Sequence, residues 1–136
     1  MMELSVLVVD DEVRFLEALA QRLTLRDFDV TAVPNGQEAV EAARREDFDL
    51  AIVDLKMPGM PGEKVLEILK AEHPLLEVII LTGHGSVESA VDAMKRGADA
   101  VLTAQDLRQR GELLRVRGLS AIGLRLQPPG PHSACW

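Results

Sequence analysis

Five short apolar runs constrain the fold of this chain more than any other feature: Leu4-Ser5-Val6-Leu7-Val8-Val9, Phe28–Val33, Phe48–Val53, Val78–Leu81 and Ala100–Thr103. Runs of this length read as buried strands, and segments with helical spacing separate them. Val13, Leu16, Leu19, Ala20 and Leu23 recur at three- and four-residue steps through about Arg26, with Asp11 placed to cap the helix. Pro34-Asn35-Gly36 turns the chain into a second helix over about Gln37–Glu46, with Ala39, Val40 and Ala43 facing inward. Val65, Leu66, Ile68 and Leu69 mark a third that ends before Pro74, and a fourth runs Val87–Arg96, capped by Ser86 and stopped by Gly97. Strand and helix thus alternate, and right-handed crossovers turn that order into an α/β fold: a doubly wound, parallel, five-stranded sheet with helices on both faces. Phe28–Val33 alternates large apolar with small or polar residues, as a strand near the sheet edge does.

Where the runs end matters more for function. Asp10 and Asp11 close the first, Asp54 closes the third and Thr82 the fourth. Ligands of open α/β sheets bind beyond the carboxyl ends of the strands, so neighbouring parallel strands would bring these residues together. Carboxylates a few ångströms apart do not all stay ionised without raised pKa values or a cation between them, and an all-oxygen site suits Mg²⁺. Asp54 also opens Asp54-Leu55-Lys56-Met57-Pro58-Gly59-Met60-Pro61-Gly62, a loop too rich in Pro and Gly for helix or strand. Taken alone, Asp10 and Asp11 read better as ordinary helix caps; Asp54 and Thr82 tip the balance to a metal site. Glu12 reads as a first-turn acid favoured by the helix dipole, and Arg14 and the Lys56 side chain as solvated. His84 reads as solvent-facing, and neither His73 nor His132 has a partner at ligand spacing.

Composition narrows the class. At 136 residues the chain fits one domain. The net charge of −7 conceals an asymmetry, since residues 1–103 carry 20 acids and 10 bases whereas 104–136 carry 2 acids and 5 arginines. An acidic body with three Phe, one Trp and no Tyr argues against direct nucleic-acid binding. No apolar stretch approaches membrane-spanning length, and Met1-Met2-Glu3 lacks the basic segment of a secretory signal, so a cytoplasmic protein is expected. The single Cys135 has no intramolecular partner and reads as an incidental tail thiol.

The motifs Val8-Val9-Asp10-Asp11-Glu12, Val53-Asp54 through Gly62, Leu81-Thr82-Gly83-His84-Gly85 and Ala93-Met94-Lys95-Arg96-Gly97-Ala98-Asp99-Ala100 resemble, in the right order, the receiver domain of two-component response regulators. The resemblance covers about residues 4–103. It implies a flavodoxin-like sheet of receiver type, with Asp54 as the phosphoacceptor that takes a phosphoryl group from the phosphohistidine of a sensor histidine kinase. Asp11 would ligate Mg²⁺ directly, Asp10 through a bound water, and the backbone carbonyl of Lys56 would join Asp54 in the ligand set. Thr82 would be the switch hydroxyl. Partners implied are the kinase and a downstream protein target or a second copy of the chain. Catalysis would be limited to autophosphorylation and slow autodephosphorylation.

The pattern breaks after Ala100. Where the family has an aromatic residue and later Lys-Pro, this chain has Val101, Ala104 and Gln105, so the phosphate-contacting lysine is missing. Gly111, Gly118 and Gly123 interrupt what should be the last helix, each at about 1 kcal/mol relative to Ala. The expected organisation is therefore a receiver domain over 1–103, an atypical segment over 104–126 with an irregular or displaced last helix, and a disordered tail over 127–136. A shifted reading frame is one account: a one-base shift in one set of codons for Gln105–Gly111 yields Lys-Thr-Cys-Asp-Asn-Glu, although Glu112-Leu113-Leu114-Arg115 is receiver-like as it stands. The alternative function is a switch-defective, receiver-like interaction module. A Mg²⁺-dependent phosphohydrolase fits less well, because Lys56 stands where such enzymes carry a second acid.

Overall fold

The structure, a computed structural model, describes residues 4–82 and 87–103. In chain order the elements are β1 (Ser5–Val9), α1 (Val13–Leu25), β2 (Asp29–Val33), α2 (Gly36–Arg45), β3 (Leu50–Asp54), α3 (Gly62–Glu72), β4 (Glu77–Thr82), α4 (Val87–Lys95) and β5 (Ala100–Thr103). All pairings are parallel, and the strand order is β2-β1-β3-β4-β5. The expected doubly wound five-stranded sheet is therefore present, and β2 lies at the edge, as its alternating pattern required.

Period-two alternation sorts the strands' side chains onto two cores. Leu7, Val9, Ala51, Val53, Val78 and Ile80 point to one face, covered by Ala39, Ala42 and Ala43 of α2, Val65, Leu66 and Leu69 of α3, and Ala93 of α4. Val6, Val8, Leu50, Ile52, Ile79 and Leu81 point to the other, covered by Leu16, Leu19 and Leu23 of α1. Burial on both faces is why β1, β3 and β4 are continuous apolar runs in the sequence. Each fully buried Leu, Ile or Val contributes about 1.5–3 kcal/mol, enough to fix which strands take the centre.

Helix ends follow local chemistry. Asn35 caps α2, its side chain accepting a hydrogen bond from the Glu38 amide at 2.9 Å. Gly97 ends α4 at φ 109°, with the Gly97 amide donating to the Met94 carbonyl and the Ala98 amide to the Ala93 carbonyl. The same paired closure ends α1, where the Asp27 amide donates to Thr24 and the Phe28 amide to Leu23. There the left-handed position is held by Asp27, at φ 69°. Asp27 is exposed, so Asp27→Gly relieves backbone strain without loss of packing and should raise stability by about 0.5–1 kcal/mol, measured by urea unfolding.

Two expectations need correction. Asp11 does not cap α1: the N-cap is Glu12, whose side chain makes no cap bond, while the Glu12 amide donates to Asp10 Oδ1 at 2.9 Å. Val13 is 54% exposed and is not in the core. Ser86, the proposed cap of α4, lies outside the described residues, as do His84, His132, Cys135 and the whole of 104–136. At the end of the sheet opposite Asp54, Lys70 Nζ donates to the Leu76 carbonyl at 2.8 Å and pairs with Asp99 at 3.3 Å, while Asp99 accepts from the Val78 amide. That clasp ties α3 to the start of β4 and the turn before β5.

Candidate functional site

In the order β2-β1-β3-β4-β5, the connections leaving β1 and β3 run to opposite sides of the sheet, which opens a crevice between their carboxyl ends. Register sets what lines it. Val9 pairs with Val53 and Asp54 pairs with Leu81, so the residues one step beyond Val9 and Leu81, Asp10 and Thr82, come level with the end of β3. Asp54 and Thr82 close their strands from inside rather than following them.

The carboxylates of Asp10, Asp11 and Asp54 each offer an oxygen, and these oxygens lie within 4.8 Å of one another. The sequence-predicted acids are thus brought together. Asp10 is buried at 6% exposure, Asp54 is half-buried and Asp11 is exposed. Asp10 Oδ1 accepts a hydrogen bond from the Glu12 amide, and Asp54 Oδ1 accepts a long one, 3.4 Å, from the Lys56 amide. Burial, then repulsion from Asp10 and a smaller contribution from Asp11, pushes the Asp54 carboxyl up to about 7 against the opposing effect of the Lys56 amide. The Asp10 carboxyl is also raised, again chiefly by burial. Three carboxylates held together at this cost in charge form an oxygen donor set that can hold a metal ion.

Thr82 is 4% exposed, and its hydroxyl oxygen is buried without a hydrogen-bond partner among the described residues. Buried hydroxyls are ordinarily paired, so an orphan beside an acidic crevice is a polar group available to a ligand. The Lys56 side chain is exposed, as expected. The loop it belongs to is anchored by Leu55 and Met57, each 8% exposed, and lines an open cleft of about 520 Å³ with Pro58, Pro61 and Glu63. Sequence reasoning gave no role to Met57; an apolar residue amid loop chemistry was the signal of that anchor.

A family model described as the response regulator receiver domain matches residues 6–110. The chain belongs to this family. Phosphorylation by a kinase is the general role of receiver domains, which act as signalling phosphoacceptors. The chain is 38% identical over 97 residues to the response regulator protein FleR of Pseudomonas aeruginosa, a match covering 71% of this chain and 20% of that protein. It therefore spans about a fifth of that relative's length. Among solved structures, a CheY-like receiver domain from Methanospirillum hungatei superposes with a TM-score of 0.73 at 29% identity, covering 80% of this chain and 90% of that one. A response regulator from Burkholderia pseudomallei, solved with a phosphorylated aspartic acid, a calcium ion and citrate, superposes with a TM-score of 0.72 at 28% identity, covering 88% and 71%. No helix among the described residues of this receiver domain is long and apolar enough to cross a membrane.

Proposed function

We propose that Asp54 is the residue phosphorylated in this receiver domain, with Mg²⁺ held by Asp11, Asp54 and the Lys56 backbone carbonyl, and by Asp10 through water. The observation that carries the reading is the convergence of three carboxylates at the carboxyl edge of the sheet, with the central one on β3. An acyl phosphate forms when an Asp54 oxygen attacks phosphorus and the phosphorus–nitrogen bond of a phosphohistidine breaks, its electron pair staying on the imidazole. Bound in the acidic crevice, Mg²⁺ would supply positive charge against the phosphoryl oxygens. The chain's own contribution is positional. The strand ends hold Asp54 at the mouth of the crevice, burial of Asp10 keeps the second acid in place, and the Thr82 hydroxyl, without a partner among the described residues, would donate to a phosphoryl oxygen once one is present. The calcium ion and phosphorylated aspartic acid of the Burkholderia protein support the same chemistry here.

The donor would be a sensor histidine kinase, in the cytoplasm, with autophosphorylation from a small acyl phosphate as the minimal reaction. Incubation with such a donor and Mg²⁺ should add one phosphoryl group by intact mass, and chelation should prevent it. No added mass, under conditions that label a reference receiver domain, would reject the reading.

A second reading rests on residues 101 and 104. Val101 packs half-buried against the core shared with α2 and α3, where the family has an aromatic ring, and Ala104 replaces the phosphate-contacting lysine. A domain lacking both would accept phosphate yet relay it weakly, acting mainly as an interaction module. Phosphate-dependent dimerisation or partner binding of normal strength would count against it.

A further inference from the structure

We infer that Gly62 is a positioning residue for the phosphorylation site, because the absence of a side chain there sets how closely the first turn of α3 sits beneath Asp54. The inference rests on the assignment of Asp54 as the phosphoacceptor. A Cβ built on Gly62 falls against the Asp54 carbonyl oxygen, 2.6 Å from Leu55 Cα and 2.9 Å from Leu55 O. Every one of these is a backbone atom, so no rotamer change makes room. Left-handed geometry is not the reason for glycine, since among the described glycines only Gly59 and Gly97 have positive φ. Close approach alone demands it.

The approach is tied down by a bond. The Gly62 amide donates to the Leu55 carbonyl at 3.0 Å, which closes residues 55–62 into one loop with Lys56 inside it. On the other side, the Leu55 amide donates to the Leu81 carbonyl at 2.8 Å, and Asp54 is paired in register with Leu81. Asp54 and Leu55 are therefore braced by the sheet. The N-cap of α3 is Pro61, which has no side-chain cap bond to hold it. A side chain at 62 displaces the softer partner, the start of α3 and the loop carrying Lys56, while Asp54 keeps its place on β3. Gly36 shows the same absence of room, but against side chains of Val65 and Met60, which yield more easily.

This division predicts a split between metal binding and chemistry. Gly62→Ala should raise the Mg²⁺ dissociation constant, read from amide shifts in an NMR titration of the full chain, by roughly 10- to 100-fold, the scale of loss when a group that orients a metal's ligands is altered. Phosphorylation from a small acyl phosphate should be slow at limiting Mg²⁺ and recover most of its rate at saturating Mg²⁺. Leu19→Ala, a core substitution on the opposite face, is the control for lost stability: it should lower the urea midpoint and leave the Mg²⁺ constant unchanged. Should Gly62→Ala bind Mg²⁺ as the parent does, or should Leu19→Ala weaken it equally, the positioning role is wrong. If the parent itself takes up no phosphoryl group, the assignment of Asp54 fails instead, whatever the variant does.

Discussion

Asp54→Asn should abolish phosphoryl uptake and, without divalent cation, should make the protein more stable. The amide matches the carboxylate in shape but does not form an acyl phosphate, so intact mass should show no added group under conditions that label the parent. Stability moves the opposite way because the native carboxylate is a liability. It is held among Asp10 and Asp11 in a half-buried crevice, where burial and repulsion disfavour its charge. Removing that charge should raise the unfolding free energy at pH 8 by on the order of 1–2 kcal/mol, after discounting for partial exposure to solvent. A variant that still gained a phosphoryl group would move the acceptor elsewhere. One that lost stability would mean that the crevice is not electrostatically strained.

The second large effect is the dependence of stability on pH, and its removal by Mg²⁺. A carboxyl whose folded-state value is raised from 3.8 to about 7 favours the native state fully only below the unfolded value. That contribution is lost as pH climbs through about 7, and Asp10, also raised, acts in the same direction. The urea midpoint of the cation-free protein should therefore fall between pH 5 and pH 8, and the fall should be shallower in Asp54→Asn. Mg²⁺ binds the ionised cluster, so at ten times its dissociation constant it should restore about 1.4 kcal/mol at pH 8, or roughly 5–10 °C in Tm for a domain of this size. It should do much less at pH 5, where the Asp54 carboxyl is largely protonated. Equal stabilisation at both pH values would place the cation away from these carboxylates.

What the sequence disclosed, and what it did not, follows from the range of the interactions. β1, β3 and β4 were legible because a strand buried on both faces has to be apolar throughout, and that is a local property. Asp10, Asp11 and Asp54 were legible because they interrupt those runs at corresponding ends. The start of α1 differs from the sequence reading at Asp11 and Val13, since both a cap and a first-turn residue's burial depend on the path of the loop that enters the helix. Gly62 was visible only as the end of a loop too rich in Pro and Gly for helix or strand. Its closeness to the Asp54 carbonyl is set by how α3 packs on β3, which no periodicity records. The Lys70–Asp99 clasp joins residues 29 apart for the same reason.

An anomalous difference map from crystals soaked in Mn²⁺, used in place of Mg²⁺, tests most directly whether the three strand-end carboxylates share a cation. The account predicts one strong peak in the crevice, about 2 Å from oxygens of Asp11 and Asp54 and one water from Asp10, leaving an Asp54 oxygen free to attack phosphorus. A map with no peak there, or with its peak away from Asp54, would contradict it.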